Sequence, residues 1–145
     1  GYNYGAEDKE RVKEAFKWGM ILTSIIMLIG TILFQAFPKE LMSIFSNSQE
    51  MTSMGVYTLR IISISFIFAA IGITNSTLFQ ALGLGKYSLI VTFLRQLILI
   101  VPIAYLLSFI GLNWVWAAYP IAEIVSTIIS VILKSKVMER YIEIL

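Results

Sequence analysis

Three long stretches of the sequence, residues 18–38, 61–85 and 96–122, contain no Asp, Glu, Lys or Arg. About 20 mostly apolar residues in a helix cover the hydrocarbon core of a bilayer, which is roughly 30 Å thick. A composition of 58% hydrophobic and 14% charged residues also departs from that of water-soluble domains. The sequence therefore predicts an all-α membrane protein.

The third stretch and its apolar flanks are too long for one crossing at 1.5 Å per residue. Its segment FIGLN, residues 109–113, has a turn-like composition, and we place a connection there. The prediction is four transmembrane helices, at about residues 16–37, 56–83, 87–109 and 114–134. The remaining segments are a juxtamembrane segment at residues 1–15, an outer interfacial segment at residues 38–55 and a tail at residues 135–145.

Lys and Arg are unevenly distributed between the two sides of such a bundle. With four crossings, the side that holds both ends carries eight Lys or Arg residues and the other side carries two. Three crossings would give five on each side. Short cytoplasmic loops are enriched in Lys and Arg. We therefore expect a multi-pass protein of the plasma or inner membrane with both ends of this chain in the cytoplasm.

The missing residue types exclude several kinds of chemistry. The chain has no Cys and no His, so it holds no thiol nucleophile, disulfide, imidazole ligand or Ser/His triad. Its 11 basic and 9 acidic residues form no basic cluster of the kind that binds nucleic acid. We expect no enzyme activity, no metal site, no cofactor and no nucleic-acid partner, with membrane lipid as the surroundings.

Two ionisable side chains, Arg95 and Glu123, fall inside the predicted crossings. A charged side chain costs about 2.5–3.5 kcal/mol at the centre of a membrane helix, so such residues are functional candidates. Arg95 lies about 12 Å and Glu123 about 15 Å from the cytoplasmic ends of neighbouring antiparallel helices. We expect a direct or water-bridged pair. A role in packing, snorkelling of Arg95 to the headgroups, and a role in ion coupling or substrate binding all remain open.

Other polar side chains lie at comparable depth in three of the crossings. The further candidates for a substrate or ion cavity are Asn75, Gln80, Gln96 and Tyr119. Tyr119 and Glu123 share one polar face of the last helix by helical spacing. The alternative reading is hydrogen bonding between neighbouring helices, which small residues such as Gly72 would permit.

Pro102 and Pro120 lie inside the last two predicted crossings. A proline removes one backbone donor and exposes a carbonyl, so we expect kinks in both helices. Broken helices are common around transporter sites, but membrane helices tolerate proline in general. The prolines alone therefore favour transport only slightly.

Five segments, read in order, resemble a known family. They are GYNYGA at residues 1–6, LMSIFSNSQEMTSMGVYTLRI at 41–61, FQALGLGKYS at 79–88, LRQLILIVPIAYLL at 94–107 and GLNWVWAAYPIAE at 111–123. Together they resemble the C-terminal half of the multidrug and toxic compound extrusion (MATE) transporters, and the resemblance covers essentially the whole chain.

This resemblance implies that residues 1–145 are a C-terminal fragment of the second six-helix lobe, spans nine to twelve, of a twelve-helix two-lobe transporter. It implies antiport, driven by sodium or protons, that exports amphipathic and often cationic compounds by alternating access, with the remainder of the transporter as partner. Some branches carry an acidic residue in the tenth span, but residues 61–85 contain none. Coupling within this chain would then depend on Glu123, or lie in other spans.

Two other functions fit the same pattern. A flippase for lipid-linked saccharides shares the superfamily architecture, and more basic residues facing the cavity than Arg95 alone would favour it. A membrane interaction subunit without transport activity would instead have polar side chains that all find partners in neighbouring helices.

Overall fold

The computed structural model describes all 145 residues, and its regular elements are all helical. The α-helices are α1 (Tyr2–Gly5), α2 (Lys9–Ala36), α3 (Pro38–Ser43), α4 (Gln49–Ser63), α5 (Ser65–Ala81), α6 (Gly85–Phe93), α7 (Ile100–Ser108), α8 (Leu112–Val115) and α9 (Ala118–Val137). A first π-turn (Leu94–Ile98) joins α6 to α7, and a second π-turn (Met138–Ile142) follows α9. The predicted all-α fold is confirmed.

Three helical stretches, Lys9–Ala36, Gly85–Ser108 and Leu112–Ile142, are each long and apolar enough to cross a membrane. Helices α4 and α5 qualify together as a fourth crossing that is bent by 45°. The helix predicted at residues 56–83 differs from the structure in two respects, because it is broken at Ile64 and begins earlier, at Gln49. The predicted outer segment at 38–55 loses its last residues to α4, and the predicted tail at 135–145 is helical as far as Ile142.

The break at Ile64 has no proline near it and coincides with a group of side-chain hydrogen bonds to the backbone. The hydroxyls of Ser63 and Ser65 donate to carbonyls three residues earlier, at 3.0 Å and 2.6 Å. Bonds of this kind compete with the helical ladder and bend helices. Gln35 of α2 then donates from Nε2 to the carbonyl of Arg60 and to Ser63 Oγ, both at 2.7 Å. The bend is thus tied to the first crossing.

The regular α-helix is interrupted before each of the two prolines, four residues earlier in the chain. Pro102 has no N–H for the carbonyl of Ile98, the residue that ends the first π-turn. Pro120 has none for the carbonyl of Trp116, which instead accepts from the Tyr119 N–H at 3.3 Å, one residue short of the helical register. The α-helix is broken at each of these places because the proline leaves a carbonyl without its usual donor.

The turn between α5 and α6 is closed by a glycine in a left-handed conformation. Gly83 has φ +78°, and its N–H donates to the Gln80 carbonyl at 3.0 Å while the Leu84 N–H donates to the Phe79 carbonyl at 2.7 Å. These two bonds form a Schellman motif, which satisfies the last carbonyls of a helix. Leu84 packs back on the cluster that contains Phe79, so the turn also seals this end of the bundle.

A hydrophobic cluster lies at the end of the molecule that holds both termini and the α5–α6 turn. Its buried members are Val12, Leu78, Phe79, Leu82, Val91, Val137 and Ile142. Beside it, Glu143 forms ion pairs with Lys9 at 3.1 Å and Lys13 at 2.6 Å. The C-terminal tail is therefore bound to the beginning of α2.

Helix α5 is the centre of the bundle, with α2 and α9 as its main neighbours. Its buried side chains are mostly small or polar, and the buried residues of α9 share this character. By contrast, α2 exposes much of its apolar surface, for example Ile26 and Ile32. The polar groups thus lie between helices, which is where the candidate site must be sought.

Candidate functional site

Helices α5 and α9 approach closely along a polar seam. A Cβ placed on Gly72 of α5 would lie 3.9 Å from both Glu123 Oε1 and Thr127 Oγ1 of α9. The Thr127 hydroxyl donates across the interface to the carbonyl of Phe68 at 2.9 Å. Small residues permit such approach in membranes, and hydroxyls then bond across the helices. Gly72 therefore lets α5 approach the Glu123 carboxylate closely.

Asn75 lies one turn further along α5 in the same seam. Its side-chain amide donates from Nδ2 to Ser130 Oγ of α9 at 3.0 Å, and Asn75 is only 1% exposed. Its Oδ1 has no hydrogen-bond partner. A buried acceptor without a hydrogen bond costs free energy. The fold bears this cost at Asn75 Oδ1, which could accept a hydrogen bond or contact a cation.

The predicted pair of Arg95 and Glu123 is present. Arg95 lies on the first π-turn and Glu123 on α9, and Arg95 Nη1 is 3.8 Å from Glu123 Oε1. Both side chains are largely buried, at 17% and 10% exposure. The distance is too long for a hydrogen bond, and neither Arg95 Nε nor Glu123 Oε1 has a hydrogen-bond partner. The contact is thus a charge interaction with unused bonding capacity on both sides.

The first π-turn presents Arg95 from the middle of a crossing. The Leu99 N–H donates to the Leu94 carbonyl at 3.0 Å, five residues back rather than four. Such a turn contains one extra residue, so the side chains of α6 and α7 on either side of it no longer follow one continuous helical face. Turns of this kind are frequent at functional sites. The local backbone irregularity and the buried charge therefore coincide at Arg95.

The other predicted site residues do not join this pair. Gln80 donates from Nε2 to Ser88 Oγ at 2.8 Å and links α5 to α6. Gln96 is exposed on the first π-turn, and Tyr119 is 38% exposed one turn before Glu123. The roles predicted for all six residues stay predictions. Sequence reasoning missed Gln35, which the presence of an amide inside the first apolar stretch could have indicated.

We define the candidate site as the Arg95–Glu123 pair together with the seam residues Gly72, Asn75 and Thr127. The site combines one carboxylate, one guanidinium, an amide oxygen and a hydroxyl within a helical bundle. A buried carboxylate that accepts no hydrogen bond on one oxygen has a strong tendency to acquire a cation or a proton. This arrangement can bind and release a positive charge.

Comparison with known proteins identifies the family. The sequence model of the MatE family matches residues 1–106. The chain belongs to the MatE family. Its predicted resemblance to MATE transporters is therefore confirmed.

Two matched proteins show how large a share of a longer protein this chain corresponds to. The multidrug export protein MepA of Staphylococcus saprophyticus subsp. saprophyticus is 24% identical over 140 residues, which are 96% of this chain and 31% of MepA. A solved structure described as the inward-facing conformation of a multidrug resistance MATE family transporter of the MOP superfamily matches with a TM-score of 0.88 and 23% identity. The match covers 96% of this chain and 33% of that one. The MatE chain thus spans about a third of each of these two proteins and shares the fold of the solved structure.

Proposed function

We propose that this MatE chain forms the C-terminal third of a multidrug exporter that is coupled to sodium or protons. The complete transporter would export amphipathic, often cationic compounds by alternating access. Family membership, apolar helices long enough to cross a membrane and relatives named as multidrug exporters support this proposal. The distribution of Lys and Arg supports placement in the cell membrane with both ends of this chain in the cytoplasm.

The observation that carries the coupling proposal is the environment of Glu123. It is the only acidic residue between residues 51 and 138, it is 7% exposed, and its Oε1 has no hydrogen-bond partner. In an antiporter, a carboxylate that binds the coupling ion in one state and releases it in another transmits the gradient through this difference in affinity. Glu123 would fill that role, while Asn75 Oδ1 offers a second free acceptor in the same seam.

The buried polar atoms that lack hydrogen bonds in the seam also help to distinguish drug export from a scaffold subunit. In a subunit that serves only as a scaffold, buried polar groups are expected to find partners in neighbouring helices, yet three buried atoms of Asn75, Arg95 and Glu123 have none. A saccharide flippase would be favoured by further basic side chains around the site, and Arg95 is the basic residue of the seam. Drug export therefore remains the function that we propose.

Replacement of Glu123 by Gln in the complete transporter tests this proposal. Gln keeps the shape of the side chain but removes its charge, so we expect the rate of cationic dye efflux from cells to fall at least about fivefold, in line with typical couplings of 1–3 kcal/mol. Its dependence on the ion gradient should be lost. Glu139→Gln, an exposed change in the second π-turn, is the control and should transport normally. Unchanged efflux with unchanged ion dependence in Glu123→Gln would reject coupling through this carboxylate.

A further inference from the structure

The contact between Arg95 and Glu123 is weaker than a buried ion pair usually is. Arginine and carboxylate groups typically meet through two parallel hydrogen bonds at about 2.7–2.9 Å. Here the shortest contact is 3.8 Å, and the Nε of Arg95 and the Oε1 of Glu123 both lack hydrogen bonds. The two buried atoms, Arg95 Nε and Glu123 Oε1, therefore have only charge neutralisation to offset their burial.

A pair that served only to fix helix packing would gain most from tight geometry. Desolvating two charges costs several kcal/mol per ion, and the attraction offsets this cost only when the geometry is good and the remaining donors and acceptors are satisfied. The first π-turn places Arg95 beside Glu123, but the 3.8 Å contact does not form the paired hydrogen bonds of a tight ion pair. The arrangement instead suits a guanidinium that can be displaced from the carboxylate.

We propose that Arg95 is a tethered competitor for the cation that binds Glu123. This inference rests on the proposed function of Glu123. When no coupling ion or cationic substrate is bound, the Arg95 guanidinium neutralises the buried carboxylate. An arriving cation displaces the guanidinium, and the return of Arg95 promotes release. Arg95 thereby lowers cation affinity and prevents the carboxylate from holding its ligand too tightly for turnover.

The side of Glu123 that faces α5 is covered by a glycine. Oxygen atoms of Glu123 and Thr127 both lie 3.9 Å from the position that a Cβ of Gly72 would occupy. No side chain of α5 occupies this position, so on this side only the close approach of the two helices covers the carboxylate, while Arg95 contacts it from the first π-turn. A ligand that reaches Glu123 between α5 and α9 would therefore compete with the guanidinium for one carboxylate.

Equilibrium binding of tetraphenylphosphonium to the purified complete transporter tests the competition. This lipophilic cation offers no hydrogen-bond donor, so it reports the positive charge alone. We expect Arg95→Gln to tighten binding at least about fivefold. Removal of a charge that only repels the ligand from a distance would give the same gain whether or not Glu123 is present. Competition requires a smaller gain when Arg95→Gln is added to Glu123→Gln, and a double-mutant cycle measures this difference.

Three further variants complete the experiment. Arg95→Lys keeps a positive charge and should bind the probe within about twofold of the unmodified protein. Arg140→Gln removes an exposed charge from the second π-turn and is the matched control, with no change expected. Arg95→Met, an apolar side chain of similar length, replaces Arg95→Gln if the latter does not fold, and it should give the same gain in affinity.

Equal gains in the two backgrounds, or no gain from Arg95→Gln, would overturn the proposal. So would failure of both neutral variants to fold when adding Glu123→Gln restores folding, because the pair would then be structural. These outcomes leave the efflux result for Glu123→Gln intact. Normal efflux in Glu123→Gln would instead remove the proposed function and this inference together.

Discussion

At the scale of single residues, Arg95 and Glu123 were identifiable from the sequence because charges are rare in apolar stretches. Their depth in neighbouring helices predicted the contact that is observed at 3.8 Å. The looseness of that contact could not be predicted, since it depends on the backbone of the first π-turn. Likewise, the bond from Gln80 to Ser88 could not be predicted, because it depends on how the α5–α6 turn brings the two residues together.

The bond between Asn75 and Ser130 leads to a prediction about stability. Ser130→Ala would leave Asn75 Nδ2 unpaired in addition to Oδ1. Interhelical hydrogen bonds in membranes contribute about 0.6 kcal/mol on average and at most about 1.7 kcal/mol. We therefore expect Ser130→Ala to lower the free energy of unfolding by about 0.6 to 1.7 kcal/mol. Chemical unfolding of the complete transporter in detergent measures it. Ser135→Ala, an exposed change on the same helix, is the control, and equal effects of the two would contradict the prediction.

At the scale of elements, apolar length and the prolines predicted most of the helices and an irregularity in two of them. The break at Ile64 escaped prediction for a physical reason. It depends on Gln35, which lies 25 residues before Arg60 and 28 before Ser63 in the chain, and serine alone is common in unbroken membrane helices. Contacts between distant segments are not visible in local sequence patterns.

The turn at Gly83 gives a prediction at this scale. Gly83→Ala would force a Cβ into a left-handed conformation, which costs about 1–2 kcal/mol. Gly85→Ala is a matched control two residues away, because its φ is not positive and a Cβ there meets nothing within 4 Å. We therefore expect a lower unfolding temperature for Gly83→Ala and no loss for Gly85→Ala. Thermal unfolding of the two variants side by side checks this. Equal unfolding temperatures would contradict the prediction, because a side chain at position 83 would then cause no strain in the turn.

At the scale of the whole molecule, the sequence did not indicate how the two ends of the chain meet. Residues 1–15 and 135–145 are too polar to cross the membrane, and their mutual contact depends on Glu143, which lies more than 120 residues from Lys13. Burial of Ile142 in the hydrophobic cluster directs the tail to this place. Composition predicts which segments leave the membrane but not how they pack.

Docking of the tail should depend on pH. Hydrogen bonds from Lys13 and Lys9 hold the pKa of the Glu143 carboxyl below its ordinary value. A lowered pKa means that the stabilisation is fully present above the unfolded value of about 4.3 and is lost as pH falls through the folded value. Spin labels on Glu14→Cys and Ile144→Cys should give one narrow distance at pH 7 and a broad one at low pH.

The same labels compare two variants of the tail. Glu143→Gln should give the broad distribution already at pH 7, because its neutral amide cannot replace the ion pairs with Lys9 and Lys13. Glu139→Gln should keep the narrow one. The chain has no Cys of its own, so no background labelling arises from this segment. A narrow distance in Glu143→Gln would mean that Ile142 alone holds the tail.

The two hydrogen bonds from Gln35 to the bent crossing connect the movements of α2 and α4. Its amide occupies a carbonyl that the broken ladder releases, so sliding of α2 and flexing at Ile64 cannot proceed independently. A displacement of α2 would therefore be transmitted to α4 through the Arg60 carbonyl and the Ser63 hydroxyl. On its other side, α5 is held to α9 by the bonds from Thr127 to the Phe68 carbonyl and from Asn75 to Ser130.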